Sequence, residues 1–104
     1  MNIKAINTDI IFSFIQDVKN GAFVTKTDWG LEITKPEADM KEARWGKILA
    51  KGEGVENTDI KIGEYILIEP LMWTNKIVYE NTNLWKTNES KILATSKKEP
   101  ENII

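Results

Sequence analysis

The apolar positions of the chain fall into short runs with a two-residue period, broken by turn residues. The clearest run is Ile10-Ile11-Phe12-Ser13-Phe14-Ile15, where Ile10, Phe12 and Phe14 share one face of a strand and Ile11, Ser13 and Ile15 the other. Its β-branched and aromatic make-up favours a strand, and the first face is expected in the core. Residues 1–6 read as a short preceding strand anchored by Ile3 and Ile6. Further strands are predicted over residues 45–51, 60–68 (two apolar runs separated by a Gly63-Glu64 turn or bulge), 76–79, 84–86 and 89–95. Between them lie turn signals: Gly52-Glu53-Gly54, whose glycines offer backbone angles that other residues resist; Asn57-Thr58-Asp59; Pro70, which cannot donate to a ladder; Trp73-Thr74-Asn75; and Glu80-Asn81-Thr82-Asn83. Short strands at turn spacings of about 8 to 12 residues predict an all-β domain, a small sandwich or barrel.

One stretch departs from this pattern. Residues 20–44, NGAFVTKTDWGLEITKPEADMKEAR, open on an Asn20-Gly21 turn dipeptide and hold no steady period, although residues 22–26 could extend as a strand. Connections above about 12 to 15 residues are uncommon in compact domains and are usually functional or disordered. This one carries the apolar island Trp29-Gly30-Leu31-Glu32-Ile33, and an apolar island on an arm requires something to bury it. Beyond the island, residues 36–43 combine good helix formers, Pro36 at a first helical position and a Glu37/Lys41 pair four apart. A helix that short is marginal in water unless something packs on it.

Composition narrows the chemistry. At 104 residues one domain with a single core is expected, and a net charge of −2 gives no electrostatic reason to bind nucleic acid or an anionic membrane. With no cysteine and no histidine, disulfides, thiolate metal sites, the commonest zinc ligand and the commonest general base are all excluded. No catalytic residues, no metal site and no cofactor are therefore expected. No segment approaches the roughly 20 apolar residues of a membrane span. Asn7, Thr8 and Asp9 interrupt any signal-peptide apolar region, so the cytoplasm is the expected compartment.

The remaining candidates each have an ordinary reading. Trp45, Trp73 and Trp85 could stack single-stranded bases, as in OB-type barrels, yet no basic groove accompanies them, and core or subunit-contact roles are favoured. Asn88-Glu89-Ser90 fits a glycosylation sequon and reads as a surface turn. Glu37, Asp39 and Glu42 could bind a cation or supply a carboxylate pair, against a solvated helix face. Gly52-Glu53-Gly54 lacks the spacing and the following Lys-Ser/Thr of a phosphate loop. Leu31 and Ile33 read either as an ordinary short strand packed on the barrel or as docking residues. Trp29 flanks them or is buried within its own subunit.

Taken in order, MNIKAINTDIIF, the arm with Gly30-Leu31-Glu32-Ile33, the return strand Arg44-Trp45-Gly46-Lys47-Ile48-Leu49-Ala50-Lys51-Gly52, Ile60-Lys61-Ile62-Gly63-Glu64 and Glu89-Ser90-Lys91-Ile92-Leu93-Ala94 resemble the GroES-like co-chaperonin family from residue 1 to about 95. The resemblance implies a distorted antiparallel β-barrel over residues 1–96 with a mobile loop at about 20–44, and a disordered tail at 97–104. It implies a homo-oligomeric, heptameric dome whose loops bind a GroEL-type chaperonin ring through Gly30, Leu31, Glu32 and Ile33. It further implies that the N-terminal strand of one subunit, with Ile3 and Ile6, pairs with the C-terminal strand of its neighbour, with Ile92 and Leu93.

Two features depart from the family pattern. The middle residue of the docking tripeptide is usually apolar, whereas Glu32 either faces solvent or meets a basic group on the partner. The longer hairpin that roofs the bacterial dome is reduced to residues 53–59, which resembles the phage-encoded co-chaperonins that help a host chaperonin fold a large capsid protein. The expected function is then non-enzymatic: capping a chaperonin cage, in the host cytoplasm if phage-encoded, during ATP-dependent folding of a client protein. The alternatives are a bacterial or organellar co-chaperonin, or a small β-barrel module that binds protein or nucleic acid. The similar fold of zinc alcohol dehydrogenases keeps an enzyme in view only weakly, because their Cys/His ligands are absent.

Overall fold

A computed structural model gives the structure of residues 3–15, 18–19, 22–26, 32–34 and 42–100, the three short segments between 18 and 34 as backbone. Among the described residues nine strands follow one another: β1 (Asp9–Phe14), β2 (Val18–Lys19), β3 (Ala22–Lys26), β4 (Glu32–Thr34), β5 (Arg44–Lys51), β6 (Tyr65–Ile68), β7 (Ile77–Tyr79), β8 (Thr82–Asn88) and β9 (Ile92–Ser96). A single 3-10 turn, Glu89–Lys91, separates the last two, and no α-helix occurs among the described residues. The protein is all-β, as its residue pattern predicts.

Six strands form one antiparallel sheet in the order β7-β8-β1-β5-β6-β9, and the other three form a separate sheet in the order β2-β3-β4. The six-stranded sheet is open. Its terminal strands β7 and β9 do not pair with each other, so the chain's own ladder does not close the expected barrel.

β1 lies at the middle of this sheet between β5 and β8, and the face assigned from its sequence is the one that forms the core. Ile10, Phe12 and Phe14 join Ile48 of β5, Ile66 and Ile68 of β6 and Trp85 of β8 in one cluster, with Ile60 contributed by a loop. Phe14 is the aromatic hub, with its ring centroid 4.9 Å from that of Phe12, 4.6 Å from Trp85 and 5.0 Å from Trp73, all edge-to-face. Such pairs contribute about 0.5 to 1.5 kcal/mol beyond the area they bury. Trp85 is thus a core residue and Trp73 packs against the core, which gives both a structural role instead of a base-stacking one. Ile11 and Leu84 are buried as well, so the strict in-out alternation of a half-exposed strand does not hold across β1 and β8.

Several expected elements differ in the structure. Residues 3–6 are not a strand, and both sides of β1 are occupied by β5 and β8. The chain also turns at Asn7 (φ 55°), where Asp9 N–H donates to the Ile6 carbonyl at 3.0 Å. Residues 60–62 are likewise not a strand: Ile60 plugs the core from a loop while Ile62 is exposed. Gly63, at φ 91°, turns the chain there, and Ile48 holds that turn with paired bonds from Gly63 N–H and to the Glu64 carbonyl, each 2.9 Å. The turn at residues 80–83 is tighter than its polar composition suggests. Only Glu80 and Asn81 form it, at φ 49° and 62°, the two left-handed residues of the hairpin turn whose twist matches the flanking strands.

The glycine pair at 52 and 54 serves close approach and not unusual backbone angles. A Cβ on Gly52 would stand 2.1 Å from the Asn7 carbonyl oxygen, where Gly52 N–H donates to Asp9 and Gly54 N–H to Asn7 at 2.9 and 2.7 Å. These bonds fasten the loop after β5 to the segment before β1. The final predicted strand begins late, at Ile92, since Asn88 caps the 3-10 turn by accepting from Ser90 N–H.

Candidate docking arm and open strand edge

Part of the stretch between β1 and β5 is strand, where its sequence suggested an irregular connection: β2, β3 and β4 lie in it. These three strands form an antiparallel sheet of their own, with Val18 opposite Phe23 and Lys19 opposite Ala22 where β2 pairs with β3. Then β3 pairs with β4, with Val24 opposite Thr34, Thr25 opposite Ile33 and Lys26 opposite Glu32. Glu32 and Ile33 of the candidate tripeptide therefore occupy consecutive register positions of β4, which places them on opposite faces of the arm's sheet. Gly30 and Leu31, Trp29, the helix-prone residues 36–41 and the acids Glu37 and Asp39 lie outside the described residues. Glu42, the third of that acidic group, pairs with the buried Arg44 at 3.4 Å.

The other candidate residues lie in the main sheet or beside it. Ile92 packs against the core, while Leu93 on the same strand is 55% exposed and Ile6 is 69% exposed. The structure does not bring the two pairs together within one chain, because β5 and β6 stand between β1, which residues 3–6 precede, and the edge strand β9. Ile3 and Ile6 instead border a groove of about 590 Å³ whose other apolar walls include Leu49, Ala50 and Ile62.

Polar groups in the described residues serve the fold. Asn88 Nδ2 donates to Thr8 Oγ1 at 2.7 Å and Asp9 Oδ1 at 3.2 Å, while its Oδ1 accepts from Ser90 N–H and Oγ. The side chain of the sequon asparagine is thus committed to tying β8 to the start of β1. Lys86 pairs with Asp9 at 3.5 Å, and Lys51 Nζ donates to the Ile60 carbonyl at 2.9 Å. No group of three or more potential metal-ligating side chains occurs among the described residues, nor is any helix there long and apolar enough to cross a membrane.

Two features escaped the reading of the sequence. Lys26 was not singled out, although opposite charges at 26 and 32, either side of a five-residue connection, are the kind of signal that marks a hairpin register. Leu71, at φ 62° in the turn where Met72 N–H donates to the Glu69 carbonyl at 3.1 Å, is a leucine where glycine or asparagine is usual. Comparison with protein-family models and with curated protein sequences gives no match for this chain.

Proposed function

We propose that this chain is a co-chaperonin of the GroES-like type, most like the phage-encoded form, and that it caps a chaperonin ring with its arm while the ring folds a client, a phage capsid protein. The observation that carries this reading is the arm itself. The described strands between β1 and β5 pair with one another in a small sheet, apart from the ladder of the main one, and this stretch bears the apolar Leu31 and Ile33 that a partner would bury. The protein supplies no catalytic group; the chaperonin hydrolyses the nucleotide, and the arms time its opening and closure.

The energetics suit a reversible cap. Burying two such side chains yields on the order of 3 to 6 kcal/mol. Fixing loop backbone opposes this by about 1 to 2 kcal/mol per residue, so a single arm binds weakly. Arms presented together on a ring, expected to be a heptamer, gain affinity through effective concentration. A small change in each contact is then multiplied around the ring.

In this reading the six-stranded sheet is the wall of a distorted barrel completed by assembly, with Ile3 and Ile6 of one subunit set against Ile92 and Leu93 of the next. The segment after β5 supports the phage-like version. It is short, and its bonds to Asn7 and from Asn57 N–H to Glu89 Oε1 hold it down on the sheet, leaving no projecting hairpin to roof a dome.

The test is to add a GroEL-type chaperonin and ATP to the purified chain. A stable complex with suppressed ATP turnover is expected, and Leu31→Asp or Ile33→Asp should abolish it while leaving the oligomer and its melting transition intact. Size-exclusion chromatography with light scattering should give a ring. A persistent monomer, or binding unaffected by both substitutions, would overturn the assignment.

A further inference from the structure

The arm's short β4 raises a register problem. It pairs with β3 at only three positions, and in a strand pair a slip of one residue moves every residue to the opposite face. Ile33 would then leave the face on which it is offered. Of the three positions, Val24/Thr34 and Thr25/Ile33 each join an apolar or β-branched pair that would tolerate the neighbouring register. Lys26/Glu32 alone joins opposite charges, and directly opposed unlike charges stabilise an antiparallel pair whereas like charges destabilise it.

We propose that Lys26 and Glu32 form the register-setting position of the arm, so that Glu32 is a positioning residue for Ile33 and not a contact with a basic group of the partner. This rests on the docking role proposed for the arm. It accounts for an acidic residue between two apolar docking residues: Glu32 belongs to the face of the arm's sheet opposite Ile33, and its register partner is supplied by the same chain. A slip toward Thr25 would place Glu32 opposite an uncharged residue, losing the unlike-charge pairing.

Two measurements test this independently. The first needs no partner. The chain has no cysteine, so Thr25→Cys/Ile33→Cys creates the only thiol pair, at directly opposed positions whose typical separation admits a disulfide. Oxidation of the full-length protein should cross-link it efficiently. The yield should fall in a Lys26→Glu or Glu32→Lys background and return when both reversals are combined.

The second measurement is chaperonin affinity without the cysteines. Each single reversal should weaken binding by about 1.5- to 5-fold per engaged arm, and the double reversal should restore it. If Glu32→Lys weakens binding, Lys26→Glu leaves it unchanged and the double reversal does not recover it, Glu32 acts on the partner and the proposal fails. It also fails if cross-linking is indifferent to the two charges. Should Leu31→Asp leave binding intact, the docking role fails instead, and the cross-linking yields still decide the register.

Discussion

Gly46 sits in the middle of β5 with Phe14 opposite on one side and Ile66 on the other. A Cβ there would stand 3.2 Å from Cγ and Cε2 of Phe12 and 2.4 Å from its Cδ2, the last more than an ångström inside the roughly 3.5 to 4.0 Å at which carbon atoms attract. The ring has little room to yield. Phe12 is fully buried, with Phe14 edge-on at 4.9 Å and Trp85 stacked at 6.5 Å. Gly46→Ala would by itself gain about 0.4 to 1 kcal/mol from the stiffer unfolded chain. Overpacking a filled core costs about 1 to 3 kcal/mol, and the depth of this overlap puts the cost in the upper part of that range, so a net destabilisation of about 1 to 2 kcal/mol is expected. Urea unfolding at fixed protein concentration should show a lower midpoint with an unchanged slope, and the melting temperature should fall by roughly 4 to 8 °C per kcal/mol. Phe12→Leu narrows the side chain at the point of overlap. In that background Gly46→Ala should cost less than in the native chain, with a coupling of at least about 0.5 kcal/mol. A midpoint at or above that of the native protein, or strict additivity of the two changes, would refute the account of why this strand carries a glycine.

Two other substitutions probe features of the main sheet. Leu71→Gly should stabilise the protein by about 0.5 to 1 kcal/mol, because the left-handed backbone at that turn (φ 62°) suits glycine and Leu71 is already 54% exposed; an unchanged or lower denaturation midpoint counts against a strained turn. Asn88→Ala should cost about 1 to 2 kcal/mol through loss of the cap and of the bonds to Thr8 and Asp9. Asn88→Asp should be no better in thermal melts at neutral pH, since it keeps the acceptor for Ser90 but sets a carboxylate beside that of Asp9.

What could be read from the sequence follows from which forces are local. The core face of β1 was legible because a two-residue apolar period needs only a strand to have meaning, and Pro70 marked the end of β6 because a missing N–H acts wherever it occurs. Elements that depend on distant partners were not legible in the same way. Residues 3–6 look like a strand by composition but are irregular within one chain, where β5 and β8 flank β1. Ile60 looks like a strand residue and is instead a plug delivered by a loop, whose turn is set by Gly63 and bonded to Ile48. The glycines at 52 and 54 announced a turn, yet their reason lies about 45 residues away, in the backbone of Asn7. For the arm, the apolar island was visible in the sequence, whereas its three-stranded sheet was hidden by short strands whose residues show no steady alternation.

The two free edges of the main sheet are unequal, and that inequality bears on assembly more directly than the open barrel does. An unpaired strand edge invites association, and extreme shortness is one of the common defences against it. β7 has three residues and closes onto β8 through a two-residue turn, so it offers little ladder to an incoming strand. β9 has five residues, Ile92-Leu93-Ala94-Thr95-Ser96, none charged and none proline, with Leu93 exposed beside a half-buried Ile92. The charges nearest it, Lys91 and Lys97, stand outside the strand and leave its centre unguarded. A chain selected to remain a monomer would be expected to place a lysine or a proline at Leu93 or Ala94. In the ring proposed above, that edge would take one directed strand contact per chain, while the short β7 at the far end of the sheet would take none. One such contact made between two different surfaces, repeated from subunit to subunit, either closes into a ring or grows into a filament, and the ring is the form that would gather the arms on one face.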